Sequence, residues 1–402
     1  MTLPVEHLRL DDSFMHDPHA AAAALRDKGP VLPVILPTGL PVWLVTGYEE
    51  ARSLLLDPRL SSDGVYDRLE RLREAADGKP SSFSEDLARH LLNTDPPDHT
   101  RLRKLVNKAF TPRSIEQLRP RIAEIAAELT DALDTSGPVD LLRDYAYPLP
   151  MIVICELLGI PKDDREMFGA WSDVLVSTAP PEEIGAASES MGRYLAGLLE
   201  AKRVSPREDL LSALVTAGED GDRLSVPEMI AMSFVLLIGG YETAVNLIAS
   251  GVLALIRHPG QMAALRSNPA LLPGAVEEFL RFETPNNLSS PRYTKEALRV
   301  GDVEIPAGQF VMISLLSANR DGARFPGPDR LDITRPAGGH LGFGHGIHFC
   351  VGAPLGRIEG EIGIGHLLAA FPAIELAVPE AELTWRPSTA MHGLAELPVR
   401  LG

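Results

Sequence analysis

FGHGIHFCVGAPLGRIE, residues 343 to 359, sets three glycines around one thiol: Gly344, Gly346 and Gly352 bracket Cys350. Glycine admits positive φ and close backbone approach, so the spacing predicts a loop folded tightly around something. Pro354 suits a first helical position, and Leu355, Ile358 and Ile362 recur at helical spacing, so a helix starts just beyond the thiol. The positive end of that helix lowers the pKa of a nearby thiol and stabilises a thiolate, which can serve as a nucleophile or as a metal ligand. The plainer alternative for a lone cysteine is a small buried hydrophobe. Cys155, in VICELLGIP, has no comparable setting and reads as helix core.

Upstream, GGYETAVNLIASG at residues 239 to 251 lies in a stretch that is apolar on nearly every side, the pattern of a buried helix. Glu242 and Thr243 break that pattern. Gly239 and Gly240 lower helix propensity, and the Thr243 hydroxyl can bond the carbonyl four residues back, opening a local distortion where a small molecule can sit. A helix-packing contact with one salt bridge is the alternative. Glu278 and Arg281 stand three apart and, unaided, read as an intrahelical ion pair worth a few tenths of a kcal/mol. His99 and Arg103, after Asp95-Pro96-Pro97, share one helix face at i, i+4 and alone read as solvated.

Around these segments the chain divides by pattern. Residues 31–47 carry β-branched runs on either side of Pro37-Thr38-Gly39, as a hairpin would, giving a β-rich portion at about 31–60. Apolar residues then recur at three and four over about 98–284, the helical bulk, with breaks at Pro112, Gly137-Pro138, Pro148, Pro161, Pro180-Pro181 and Pro206. Beyond Pro285 come strand-like runs at Leu298 to Ile305 and Phe310 to Ser314, an irregular stretch from Asn319 to Gly342, and a helix from about Ala353 to Phe371. No repeat or linker separates these parts, so the expectation is one mainly α domain with minor β sheets over residues 1–402.

A net charge of −17, from 38 basic and 55 acidic residues, repels nucleic-acid phosphate and anionic membrane and excludes both as partners. Two cysteines almost two hundred residues apart make no disulfide framework and suit a reducing cytoplasm. The N-terminus has no basic region followed by an apolar one, and the longest apolar run, Met229 to Gly240, is short for a membrane span.

The run Phe343-x-x-Gly346-x-His348-x-Cys350-x-Gly352 resembles the signature of the cytochrome P-450 family. The resemblance implies that haem b lies between the central helix and the cysteine loop, with Cys350 as the ligand of its iron. Residues 239–243 resemble the family's central-helix motif, small-Gly-x-acid-Thr. By that likeness dioxygen sits at Gly239 and Gly240, Thr243 hydrogen-bonds it, and Glu242 relays protons. Glu278, Arg281 and Arg335 match the Glu-x-x-Arg motif and its second arginine, a structural set that locks the cysteine loop. His99, Arg103, Arg292 and His348 match the positions that bind the haem carboxylates, and four cations against two buried propionates is sound chemistry. The likeness covers roughly three quarters of the chain, with Gly327 and Gly356 as small departures.

The activity so implied is a haem-thiolate monooxygenase that inserts one oxygen atom from O2, by hydroxylation or epoxidation. The chain shows no flavin or dinucleotide fingerprint, so electrons come from NAD(P)H through a ferredoxin and its reductase. Arg101, Lys104, Lys108 and Arg113 form a basic patch suited to an acidic ferredoxin. Recognition positions by resemblance are Val235, Ile238, Leu288, Ser289 and Met391, largely apolar, which predicts a medium or large hydrophobic secondary metabolite such as a macrolide, terpenoid or steroid. A cytoplasmic monomer is expected. The alternatives are a family member that couples, rearranges or uses peroxide; a haem-binding sensor, which has no need of Glu242 and Thr243; and a cysteine hydrolase with His348 as base, which leaves the arginines without a use.

Overall fold

The computed structural model describes residues 6–77, 83–176, 179–216 and 224–402. Helices predominate, as the periodicity predicts, and three small sheets accompany them. The chain forms two compact units. One comprises Met1–Ser61, Arg119–Leu149 and Thr243–Gly402, the other Ser62–Leu118 and Pro150–Glu242.

The first unit holds all three sheets. Its six-stranded sheet runs in the order Leu8–Arg9, Val31–Ile35, Pro41–Val45, Phe310–Ile313, Arg292–Thr294, Leu60–Ser61. Val31–Ile35 and Pro41–Val45 are the expected hairpin, paired from Val31↔Val45 to Ile35↔Pro41, with Gly39 at φ 84° in the turn. The run Leu298 to Ile305 is itself a hairpin, Leu298–Val300 against Val303–Ile305. Trp43, Val45, Leu54, Leu55, Val311 and Ile313 pack with Phe325 and Leu341 in one apolar cluster, so the irregular stretch before the cysteine loop is anchored on the sheet's core. The region at about 31–60 also contains a helix, Tyr48–Leu56, whose Tyr48, Ala51, Leu54 and Leu55 are buried.

Several prolines that mark breaks in the helical pattern begin helices. Pro112 opens Pro112–Glu116 behind a Thr111 capping box, Pro148 opens Pro148–Leu158, and Pro181 opens Pro181–Val204. A first-turn position needs no backbone N–H, so proline is at home there.

The longest helix, Val226–Arg257, exceeds the apolar run Met229 to Gly240 and by length and composition alone could cross a membrane. Of its most apolar window, 72% is buried within the protein, which is how a core helix behaves. Glycines let it approach its neighbours. A Cβ at Gly240 would stand 2.6 Å from Ile154, and one at Gly251 would stand 2.9 Å from Ile364 of the helix Ala353–Ala370. That second helix follows the cysteine loop.

Candidate active site

The loop around Cys350 closes through its own backbone. Gly344 and Gly346 have φ of 70° and 77°, the left-handed region that glycine enters without strain. A Cβ at Gly346 would also lie 2.8 Å from the Leu55 carbonyl oxygen, so that position excludes side chains twice over. The Cys350 N–H donates to the Phe343 carbonyl at 2.9 Å, and the Phe349 N–H donates to Gly346 at 3.0 Å. Gly352 caps the helix Ala353–Ala370 at φ −81°, and a Cβ there would lie at ordinary contact distance, 3.8 Å, from the Cys350 sulfur. Pro354 occupies the second helical position. Cys350 therefore stands partly exposed at the positive end of an 18-residue helix. Cys155 behaves oppositely: it is fully buried, its sulfur lies 3.7 Å from Met151 Sδ, and burial pushes its thiol up to about 12.

The helix Val226–Arg257 presents an equally specific pattern. From Ile230 to Leu255 every residue is buried except Val235, Ile238, Gly239, Gly240 and Thr243. Val235, Gly239 and Thr243 repeat at i, i+4, i+8, so these side chains form one accessible stripe along a buried helix. A Cβ at Gly239 would meet no atom within 4 Å. Glu242, beside the stripe, is 1% exposed. The stripe lies along a helix that is assigned without a break from Val226 to Arg257.

Glu278 and Arg281 are wholly buried and joined by two bonds, Nε to Oε2 at 2.7 Å and Nη2 to Oε1 at 2.8 Å. Burial makes this far more than a surface ion pair. Arg281 Nη1 also donates to the carbonyls of Asn319 and Pro328 at 3.0 and 2.8 Å. Arg335 reaches Glu278 Oε1 at 3.2 Å and the carbonyls of Pro326, Gly327 and Arg330 at 2.6, 3.0 and 3.1 Å. The set thus organises the backbone of residues 319–335, which has no regular structure to satisfy its carbonyls. Gly327 sits at φ 58°, a backbone state that explains a glycine there.

Two partners were not legible in the sequence. Asn319 accepts from the Leu341 N–H at 2.6 Å and donates to Thr284 Oγ1 at 2.9 Å, pinning the approach to the cysteine loop. Glu277 accepts from Arg357 Nε at 2.6 Å, which ties the cysteine helix to the helix Leu272–Phe282, and pairs with His340 at 3.2 Å. Burial works to raise the Glu277 carboxyl, but the hydrogen bonds from His340 and Arg357 prevail and hold it at about 2. Its stabilising contribution is complete above the ordinary carboxylate range and disappears as the pH falls from about 4.5 towards 2. Wild-type enzyme should therefore lose thermal stability more steeply over that window than Glu277→Gln, which starts lower at neutral pH; equal slopes would remove Glu277 from the acid response.

The basic groups divide between the units. Arg292, on the strand Arg292–Thr294, is buried and donates to the Leu55 carbonyl at 3.1 Å, and His348 lies in the short turn Gly346–His348 of the loop. His99 and Arg103 lie one turn apart on the helix Asp98–Ala109, with His99 at 2% exposure. Arg101 on that helix pairs with Glu228. Leu288 is buried and bridges Ser314, while Met391 is half-buried and bridges Asn286. The Ser289 hydroxyl accepts from the Ile313 N–H at 3.0 Å, so the backbone claims part of its bonding capacity.

Known proteins share this chain over nearly its whole length. The family model for cytochrome P-450 matches residues 266–386. Cytochrome P-450 107B1 of Saccharopolyspora erythraea is 50% identical over 396 residues, 98% of each chain. The chain belongs to the cytochrome P-450 family. The vitamin D(3) 25-hydroxylase of Pseudonocardia autotrophica is 49% identical over 398 residues, 99% of this chain and 97% of that one. The tirandamycin C-bound P-450 monooxygenase TamI superposes with a TM-score of 0.92 at 52% identity, covering 98% of this chain and 100% of that one.

As a P-450, the protein is a monooxygenase that uses haem b, O2 and electrons from NAD(P)H passed through redox partners. Its residues fit haem. A soft sulfur donor stands at a helix N-terminus, and the accessible stripe of the central helix carries a glycine at which a Cβ would meet no atom within 4 Å.

Proposed function

We propose that this P-450 oxidises a medium or large hydrophobic secondary metabolite at carbon, with Cys350 as the haem ligand and Thr243 and Glu242 as the proton route. The observation that carries this reading is the accessible stripe Val235–Gly239–Thr243 on a helix otherwise largely buried, because it sets an aliphatic side chain, a bare glycine and a hydroxyl on a single face. Bound haem supplies dioxygen activation, a chemistry favoured by an electron-donating thiolate.

The chain's own contribution is positional. Val235, Ile238, Leu288 and Met391 offer apolar surface to the substrate, with Ser289 at the margin. Gly239 keeps the helix bare where dioxygen binds, Gly240 beside it lets the helix pack against Ile154, and Phe343 and Gly352 flank the sulfur. His99, Arg103, Arg292 and His348 neutralise the haem carboxylates, while Glu278, Arg281 and Arg335 hold the backbone that leads into the loop. Thr243, accessible on the stripe, hydrogen-bonds dioxygen, and Glu242 behind it passes protons forward. The names of two relatives, one hydroxylating vitamin D(3) and one holding tirandamycin C, support a bulky natural product as substrate. A cytoplasmic monomer supplied by a ferredoxin and its reductase completes the reading. The chain passes between its two units four times, at 61/62, 118/119, 149/150 and 242/243, which supports one cooperative domain over residues 1–402.

The reading is tested by adding hydrophobic natural products to the oxidised enzyme, following the haem spectrum, and then running turnover under labelled dioxygen with a ferredoxin system. A bound product carrying one labelled oxygen atom is expected. Label absent from a coupled or rearranged product would replace oxygen insertion with the atypical chemistry. Thr243→Ala should keep haem and substrate binding while diverting most reducing equivalents to hydrogen peroxide; unchanged coupling of NAD(P)H use to product would remove Thr243 from the proton route.

A further inference from the structure

His19, half-buried, and Glu283 and His392, both buried, form a cluster that has no part in the haem chemistry. They come from three segments of the first unit: the helix Pro18–Arg26, the residue that ends the helix Leu272–Phe282, and the turn after Met391. His19 Nε2 lies 3.1 Å from Glu283 Oε2, and His392 Nε2 lies 3.5 Å from the same oxygen. All three donor atoms fall within 4.8 Å of one another. Ligands about 2.0–2.1 Å from a tetrahedral zinc ion are about 3.3 Å apart, which the two observed separations bracket.

The chemical state of the donors suits a metal. His19 turns its Nε2 towards Glu283, and an imidazole nitrogen is a donor that zinc accepts. Glu283 is 4% exposed and His392 3%. His392 Nε2 is buried and faces Glu283 Oε2 at 3.5 Å, a contact too long for a good hydrogen bond. Trp385 stacks on the His392 ring at 4.3 Å and 8°, fixing its orientation as an outer-shell group would.

Arg320 is the one cation nearby among the described residues that contact the cluster. Its Nη2 lies 3.4 Å from His19 Nε2 and 3.9 Å from Glu283 Oε1. It is already committed elsewhere: Nε and Nη2 donate to the Phe282 carbonyl at 3.0 and 2.7 Å, and Nη1 pairs with Asp329 at 3.3 Å. With Asp329 offsetting Arg320, Glu283 contributes the remaining negative charge.

We propose that His19, Glu283 and His392 constitute a three-ligand site for a divalent transition metal of the zinc class. Two imidazole nitrogens with one carboxylate oxygen select such a metal over magnesium or calcium, and water completes the fourth position. The ion staples the N-terminal helix to the turn carrying Met391, which is held to the chain after Glu283 by the His392 N–H to Pro285 carbonyl bond at 2.8 Å.

The test uses haem-loaded, tag-free enzyme treated with a chelator, then with zinc chloride, and passed through gel filtration before elemental analysis. One zinc per chain is expected, together with a thermal midpoint higher by about 3 °C when zinc stands 100-fold above its dissociation constant. His392→Phe, which keeps a ring against Trp385 but no donor, and Glu283→Gln should each weaken retention at least tenfold. Wild-type enzyme that retains no zinc and shows no shift overturns the proposal, and so does zinc retained equally by both variants, which would place the ion elsewhere. Neither readout involves turnover, so the outcome is separable from the oxidation chemistry.

Discussion

Cys350→Ser should remove the red-shifted band of the reduced carbon monoxide form and leave no detectable oxygen insertion. Serine is nearly isosteric with cysteine, and the loop does not depend on the side chain for its shape: the Cys350 N–H to Phe343 bond and the turns at Gly344 and Gly346 are backbone features. The loss should therefore be electronic. A hydroxyl is a hard, weakly donating ligand, and it stays protonated where a thiol at the positive end of the helix Ala353–Ala370 ionises. The measurement is the carbon monoxide difference spectrum at equal haem content. Retention of the red-shifted band would refute ligation by Cys350. Cys155→Ser is the control, since that thiol is buried against Met151 and held protonated, and it should leave the spectrum unchanged.

Arg281→Ala should destabilise the fold by about 3–5 kcal/mol, because it strands the buried Glu278 carboxylate without its principal partner. Against a total stability of about 5–15 kcal/mol, that is a large fraction of what holds a protein folded. Four acceptors lose a donor at once, both Glu278 oxygens and the carbonyls of Asn319 and Pro328, and of these Glu278 Oε1 keeps Arg335 and the Asp332 N–H. The expected result is a fall in thermal midpoint on the order of 5 °C, with haem content reduced in proportion to the population whose cysteine loop is misplaced. Arg281→Lys should recover only part of the loss, since one ammonium cannot fork to Glu278 and both carbonyls. Arg335→Ala should cost less, because Glu278 keeps Arg281. A midpoint unchanged in Arg281→Ala would mean that the ion pair is not structural.

Part of the site is legible in the order of residues alone. Gly344, Gly346 and Cys350 can be read because a left-handed turn and a thiol are local requirements that only a few residue types meet. The hairpin around Gly39 and the helix after Gly352 are likewise set by short-range periodicity and turn chemistry. Distant pairings are a different matter. Glu277 looks like a solvated neighbour of Glu278 until the fold brings Arg357 and His340 to it, and Asn319 looks like a loop residue until it meets the Leu341 N–H.

Three conclusions followed from sequence alone: a mainly helical fold, one thiol placed at a helix N-terminus, and an acid–hydroxyl pair inside an apolar helix. Each rests on residue type and spacing within a few turns of chain, where covalent geometry already decides which side chains share a face. Tertiary structure alone decided the rest. It turned Glu278–Arg281 from a surface pair into a buried one, opened the single stripe Val235–Gly239–Thr243 on a helix that otherwise reads apolar throughout, and gathered His19, Glu283 and His392 from opposite ends of the chain. The physical reason is that burial and long-range proximity depend on how elements pack, and the energies of charges and hydrogen bonds follow from burial far more than from sequence distance.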